Sequence, residues 1–378
     1  MSRIEYKNSG IFWQPFIPKS WHVTRLKYIL KKLSREKGAD DELLVCSNSG
    51  DIRKRGDSRL GLVANSNDIY QGVRSGDLLI HGMDTWHGAI AVSKFDGMCT
   101  PVVHVCDSSQ NKEYVATYLR NMASQQIFKL ISNGVRQNTS DFRSWDKLSR
   151  IPIPLPPLVE QEKIVSYLED KTSKIDEVIL AKEKQIKLLQ ELKDAEIANV
   201  ITRGLNPDVK MKRYDSLLSS ECPEHWCITR NKSFMSLVGE KVGRQSVSYT
   251  LLSLTTKGVI IRDVESGKGK FPKDFDTYQI VQRGELVFCL FDIDETPRTV
   301  GIVETGGMVT GAYTVLRVNE KYAIPEYVYY YYLCVDNIKA LKPYYSGLRK
   351  TVRADKFLQL YIPVPSVEEQ RTIIAYIE

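Results

Sequence analysis

Basic side chains and amides recur together at a few points of this 378-residue sequence, and those points are where it could do chemistry. Arg53-Lys54-Arg55 and Arg59 lie in a stretch bearing Gly and Asp, and Arg136-Gln137-Asn138 follows Gly134, with Arg143 close behind. A second series comprises Arg244-Gln245, Lys268 and Lys270 within Gly267-Lys268-Gly269-Lys270, Arg298, and Arg349-Lys350-Thr351-Val352-Arg353. Guanidinium and ammonium groups bind phosphate; Arg also addresses a guanine edge, and Gln or Asn bonds adenine bidentately. Arg beside Gln and Asn on a glycine-hinged loop therefore suits base reading, although a solvated surface loop uses the same residues. The net charge of +7 and pI near 8.8 permit a polyanionic partner without requiring one.

Other constellations carry less. Asp292-Ile293-Asp294-Glu295-Thr296, after the apolar run from Val287, resembles the nucleophile motif of haloacid-dehalogenase-type phosphatases. In that motif the first Asp is phosphorylated and the second is the acid-base. The matching stretch Leu78 to Trp86 keeps the strand and loses the spacing, and no acidic pair suited to Mg2+ follows Thr296. Cys222, His225 and Cys227 have metal-ligand character, but their counterparts Ile17, Ser20 and His22 keep at most one ligand, and no fourth ligand is near. Gly267 to Lys270 lacks P-loop spacing and its Ser/Thr, and an Asn-Pro-Pro-aromatic methyltransferase motif is absent. The sequence thus points to no catalytic residue and no metal. Its seven scattered cysteines, without a C-x-x-C pair, suit reduced thiols used as small core residues, and Trp21 and Trp226 suit core packing.

The elements that position the basic clusters are written twice. Pro18-Lys19-Ser20-Trp21-His22-Val23-Thr24-Arg25 returns as Pro223-Glu224-His225-Trp226-Cys227-Ile228-Thr229-Arg230. Val73-Arg74-Ser75-Gly76-Asp77-Leu78 returns as Val281-Gln282-Arg283-Gly284-Glu285-Leu286, and Asn133-Gly134-Val135-Arg136 as Ser346-Gly347-Leu348-Arg349. Ile153 to Glu169 returns as Ile362 to Glu378, so four blocks recur in one order. Each copy reads as mixed α/β with short strands, a helix (Lys112 to Ile131, Pro325 to Ala340), a loop and a proline-rich strand.

Between the copies, Val159 to Ile201 contains neither Gly nor Pro, and Arg203-Gly204 ends it. A helix of about 41 residues would be a rod of roughly 60 Å. Ile164, Ile175, Ile186 and Ile197 fall at steps of eleven, with Leu168 and Ile179 on the same stripe. That period keeps one face apolar along a nearly straight helix, which should pair with another. Its other faces are mostly charged.

Two unlike modules, each closed by a Gly-hydrophobic-Arg loop and a strand such as Ile153-Pro154-Leu155-Pro156-Pro157-Leu158-Val159-Glu160-Gln161 at the head of a long helix, resemble the specificity subunit of a type I restriction-modification system. The second copy departs from the pattern, with Pro365-Ser366-Val367 and a helix that stops after two turns. The resemblance implies an α/β protein with target-recognition domains at 1–157 and 204–365, a central conserved helix at 158–203, and the truncated start of a distal helix at 366–378. It implies a non-catalytic reader of a bipartite double-stranded DNA target that scaffolds methyltransferase subunits and, through the complex, a nuclease-translocase subunit. S-adenosylmethionine, Mg2+ and ATP would then belong to partner subunits; a methylation-only complex is the near alternative. No apolar run nears the roughly 20 residues of a membrane span and no secretory leader is evident, so the cytoplasm is expected. The unfinished second helix leads us to expect a homodimer through the apolar stripe.

Overall fold

The computed structural model describes residues 4–56, 69–132, 142–262, 275–347 and 350–378. Two compact units, Met1–Leu180 and Ala181–Glu378, divide within the long helix. In the first, strands β1 (Tyr6–Asn8), β2 (Phe16–Pro18), β3 (His22–Arg25), β4 (Leu30–Lys32), β5 (Leu44–Cys46), β6 (Ile52–Lys54), β7 (Gln71–Val73), β8 (Leu78–His81), β9 (Ile90–Val92), β10 (Gly97–Cys99) and β11 (Val103–Ser108) precede helices α1 (Lys112–Ser124), α2 (Ile127–Ile131) and α3 (Trp145–Ser149). Strand β12 (Pro152–Leu155) then leads into α4 (Leu158–Arg203), of 46 residues and about 70 Å.

The second unit repeats this order with β13 (Met211–Arg213), β14 (Glu221–Pro223), β15 (Cys227–Arg230), β16 (Met235–Val238), β17 (Leu252–Thr255), β18 (Gly258–Ile261), β19 (Gln279–Val281), β20 (Leu286–Phe288), β21 (Val300–Ile302), β22 (Gly307–Val309) and β23 (Thr314–Val318). Helices α5 (Pro325–Asn337) and α6 (Ala354–Gln359), strand β24 (Tyr361–Val364) and α7 (Val367–Ile377) complete it.

The duplication extends to strand order. One four-stranded sheet runs β4-β11-β8-β9 and the other β16-β23-β20-β21, both antiparallel. Leu78 to Ile80 of β8 and Leu286 to Phe288 of β20 are apolar at every position because both faces of the sheet are covered. Leu78, Ile80 and Cys106 pack with Tyr114, Val115 and Leu119 of α1, whereas Leu79, Val103 and Val105 pack beneath the β5–β6 hairpin. Alternate residues of a strand thus serve two cores, each large aliphatic side chain contributing about 1.5–3 kcal/mol. The second unit does the same with Leu286, Phe288 and Leu316 on one face and Val287 and Val315 on the other.

Among the described residues the proline-rich strands pair only with the third strand of their unit, β12 with β3 and β24 with β15. Two-stranded pairing is what Pro152, Pro154 and Pro363 permit, since proline cannot donate to a second ladder. Helix α4 is anchored at both ends. Ile164 and Val165 pack on the core of the first unit, and Ile197, Val200 and Ile201 lie within that of the second. Ile197, expected on the pairing stripe, is therefore corrected to a core residue: only 7% of it is exposed. Leu168, Ile175, Ile179 and Ile186 remain exposed. Gly204, at φ +74°, ends the helix and bonds its amide to the Val200 carbonyl at 2.9 Å.

Candidate nucleic-acid interface

Arg59, Arg136, Gln137, Asn138, Lys268, Lys270 and Arg349 lie outside the described residues. Apart from Arg244, Gln245 and Arg298, the candidates that are described fall at two loci, and each locus exists in both modules.

The first locus is the exit of a hairpin. Arg53 and Lys54 stand on β6 opposite Val45 and Leu44 of β5. Arg53 pairs with Asp51 and Lys54 with Glu42, all substantially exposed. Asp51 is held well below the usual carboxylate range by Arg53 first, then by the Ser47 and Ser49 hydroxyls. The Arg55 amide donates to the Leu43 carbonyl at 2.9 Å, and the Arg262 amide beyond β18 donates to Leu251 at 2.9 Å. Arg262 thus takes the backbone position of Arg55, a correspondence that side-chain spacing does not show. Arg59 and the Lys268-Gly269-Lys270 run both follow this junction in sequence.

The second locus lies beside the last residues of β8 and β20. A Cβ placed on Gly82 would come within 2.9 Å of the Arg143 Cα and the Phe142 carbonyl oxygen. In the other module the Val352 amide donates to the Leu290 carbonyl at 2.8 Å. Arg143 and Arg353 are both exposed, and Arg353 Nε donates to Asp355 at 3.0 Å. Lys350 Nζ is 3.3 Å from Asp294, which Lys342 also approaches at 3.0 Å. Arg244 and Gln245 are exposed on the 3-10 turn Gly243–Ser248. Arg298 differs from these: it is half-buried, donates to Asn337 at 3.3 Å and lies 3.8 Å from the buried Asp336, an intramodular tie rather than a free basic tip.

The phosphatase-like stretch reads as a turn. Asp292 has φ +46°, its carbonyl accepts from the Glu295 and Thr296 amides, and Asp294 is kept ionised by Lys342 first and then Lys350. Strand β20 before it is antiparallel to both neighbours. His225 Nε2 meets Glu369 at 2.9 Å, Cys222 is buried and Cys227 exposed. Among the described residues no group of three His, Cys, Asp or Glu could hold a metal.

Each module also holds buried residues that sequence reasoning missed. Gln161 and Gln370, each 0% exposed, are the second letters of the repeated Glu-Gln. Gln161 accepts from the Asn111 amide and donates to the Pro156 carbonyl; Gln370 accepts from the Ile324 amide and donates to Pro365 and Tyr322. One amide thus joins the proline-rich strand to the start of the core helix. Gln71 and Gln279 donate at 2.6 Å to the carbonyls of Val103 and Tyr313, at the start of the central strand. The repeated Tyr70-Gln71-x-Val73 and Tyr278-Gln279-x-Val281 was the available signal. The tryptophans differ: Trp226 is buried and bonds Glu369 at 3.0 Å, whereas Trp21 is half-buried and its Nε1 has no partner.

Residues 88–190 match the type I restriction modification DNA specificity domain. The MjaX type I restriction enzyme specificity subunit of Methanocaldococcus jannaschii is 26% identical over 227 residues, covering 58% of this chain and 44% of that relative. The chain therefore spans less than half the length of the curated relative it matches. A chain from a solved type I R-M system, studied for complex assembly and conformational transition, superposes with TM-score 0.64 at 15% identity, covering 95% of this chain and 90% of that one. The HsdS subunit of Thermoanaerobacter tengcongensis does so with TM-score 0.54 at 15% identity, covering 96% and 89%. The likeness to specificity subunits read from the repeated motif holds, and the fold is theirs.

Proposed function

We propose that the chain is the DNA sequence-specificity component of a type I restriction-modification complex, non-catalytic, each module reading one half of a bipartite duplex target. The observation that carries this reading is the duplication itself: two modules of identical strand order, each offering basic residues at a hairpin exit and beside the end of its central strand. Side chains paired to exposed carboxylates can exchange them for phosphates at little cost. Methyltransferase subunits are the proposed partners of α4, with a nuclease-translocase joining through the complex; S-adenosylmethionine, Mg2+ and ATP would be held by those partners, in the cytoplasm. Among the described residues no helix is long and apolar enough to cross a membrane.

Mapping methylated sites in cells carrying the chain with its modification subunits tests the reading. A split motif whose halves change separately when the modules are exchanged is expected; unmodified DNA would overturn it. Neutralising Arg143 and Arg353 should also lower the salt dependence of binding by about one unit of slope per lost phosphate contact.

The exposed stripe of α4 supports self-association as a second proposal. Ile175, Ile179 and Ile186 are 57%, 48% and 64% exposed, and covering them would contribute about 1.5–3 kcal/mol each. Light scattering should show a dimer that Ile179→Glu with Ile186→Glu dissociates; a strict monomer at all concentrations rejects it.

A further inference from the structure

Inside the first module a histidine lies directly under the second locus. His104, on β11 opposite Ile80, is 1% exposed, and its Nε2–H donates to the Phe142 carbonyl at 2.8 Å. Phe142 is itself buried, its ring 5.4 Å from that of Phe128, so the bond fixes a main-chain position immediately before the exposed Arg143. Gly82 presses on the same point from the neighbouring strand end, its lack of a side chain allowing the Arg143 Cα to approach. In module two the Val352 amide bonds the Leu290 carbonyl, and the strand position that matches His104 is Thr314, which does not titrate.

We propose that His104 is a positioning residue that sets where Arg143 meets DNA, so that one half-site is read through a titratable strut and the other is not. The proposal deepens the function proposed above and rests on it. The ring's other nitrogen, Nδ1, is buried and without a partner, and a second proton would have to reside there. The charged or titratable groups around it are Lys32 on β4, His81 at the end of β8 with Asp84 beyond it, Arg143 itself, and Asp146 on α3, which follows Trp145, whose ring lies 5.5 Å from that of His104. Burial first, then Lys32 and His81, disfavour the imidazolium, against the pull of the Phe142 carbonyl. A ring released to water takes up the second proton more readily than the buried one, so acidification below the ordinary histidine value of about 6.5 increasingly favours release of the strut.

The test selects bound duplexes from a random library with the full chain and its modification subunits, at about pH 7.5 and about pH 5.5. His104→Phe should relax base preference in one half-site by about tenfold, the worth of a good base contact, and leave the other half-site intact. His104→Gln, whose amide can still donate to Phe142, should keep the preference and remove its pH dependence. Gly82→Ala, which displaces Arg143 from the other side without touching the ring, should relax the same half-site. In an Arg143→Ala background His104→Phe should add nothing. A full additional effect there, equal relaxation of both half-sites, unchanged half-sites, or a wild-type preference as flat with pH as that of His104→Gln would each overturn the proposal. A wild-type complex that selects no sequence would instead remove the function on which it rests.

Discussion

Among the described residues the two modules share the pairing of every named strand but solve several local problems with different side chains. Behind the Gly-acid turn, Asp77 caps the Arg74 amide and is met at 2.5 Å by Arg35, beyond β4; Glu285 caps the Gln282 amide and is met at 2.6 Å by Arg317, on β23 itself. The acid is retained because the turn amide needs it, while its cation comes from whichever strand is near. Conversely, the buried glutamines do the same work in both modules. Backbone bonds and the side chains that satisfy backbone are therefore the invariant part of the design, and charge partners are replaceable.

The largest expected effect tests that invariance. Gln161→Leu and Gln370→Leu each strand a buried amide and carbonyl, and each should cost its own module on the order of 3 to 5 kcal/mol. Module-resolved hydrogen exchange should show the loss confined to one module each time; tolerance of either change would break the equivalence. Close approach comes next. An alanine Cβ at Gly97 would sit 2.5 Å from the Glu42 carbonyl, and at Gly307 2.4 Å from that of Thr250, so both should lose about 2 to 3 kcal/mol in urea titrations.

The tryptophans predict asymmetry instead. Glu369→Ala orphans the buried Trp226 Nε1 and should cost about 1 to 2 kcal/mol; Glu160→Ala, where the corresponding Trp21 Nε1 already lacks a partner, should be near neutral. Equal costs in thermal unfolding would contradict the difference described here. The smallest effect follows from histidine. Burial holds His81 and His104 below the ordinary value, so below about pH 6.5 the unfolded chain binds more protons. Their stabilising contribution is complete above that pH and is lost as pH falls towards the folded-state values. The histidine of module two, His225, is exposed on Glu369, so hydrogen exchange corrected for intrinsic rate should show acid loosening module one first.

Much of this architecture was legible because its signals are short-range. Pro-x-x-Trp, the Gly-acid turn and Pro-x-Pro each fix a local geometry, and their repetition in order announces duplication. The hairpin correspondence was not legible, because β5–β6 and β17–β18 are held in register by amides such as those of Arg55 and Arg262, which no side chain specifies. The eleven-residue period found the apolar stripe of α4 but carries no information on where a module begins to cover it, which is why Ile197 was misplaced. Arg298 looked like a loop cation because its partner Asp336 is distant in sequence and buried on α5.

The pairing of β3 with β12 and of β15 with β24 also sets an order of events at the ribosome. Arg25 must wait for Pro152, roughly 130 residues later, or on the order of 10 s at ordinary elongation rates. When β12 emerges, β15 and the similar strand β24 do not yet exist, so β3 has one mate to choose. A chain diluted from denaturant has no such schedule: Pro-Ile-Pro-Leu and Tyr-Ile-Pro-Val compete for both openings, and exchange between modules becomes a trap of refolding that synthesis avoids.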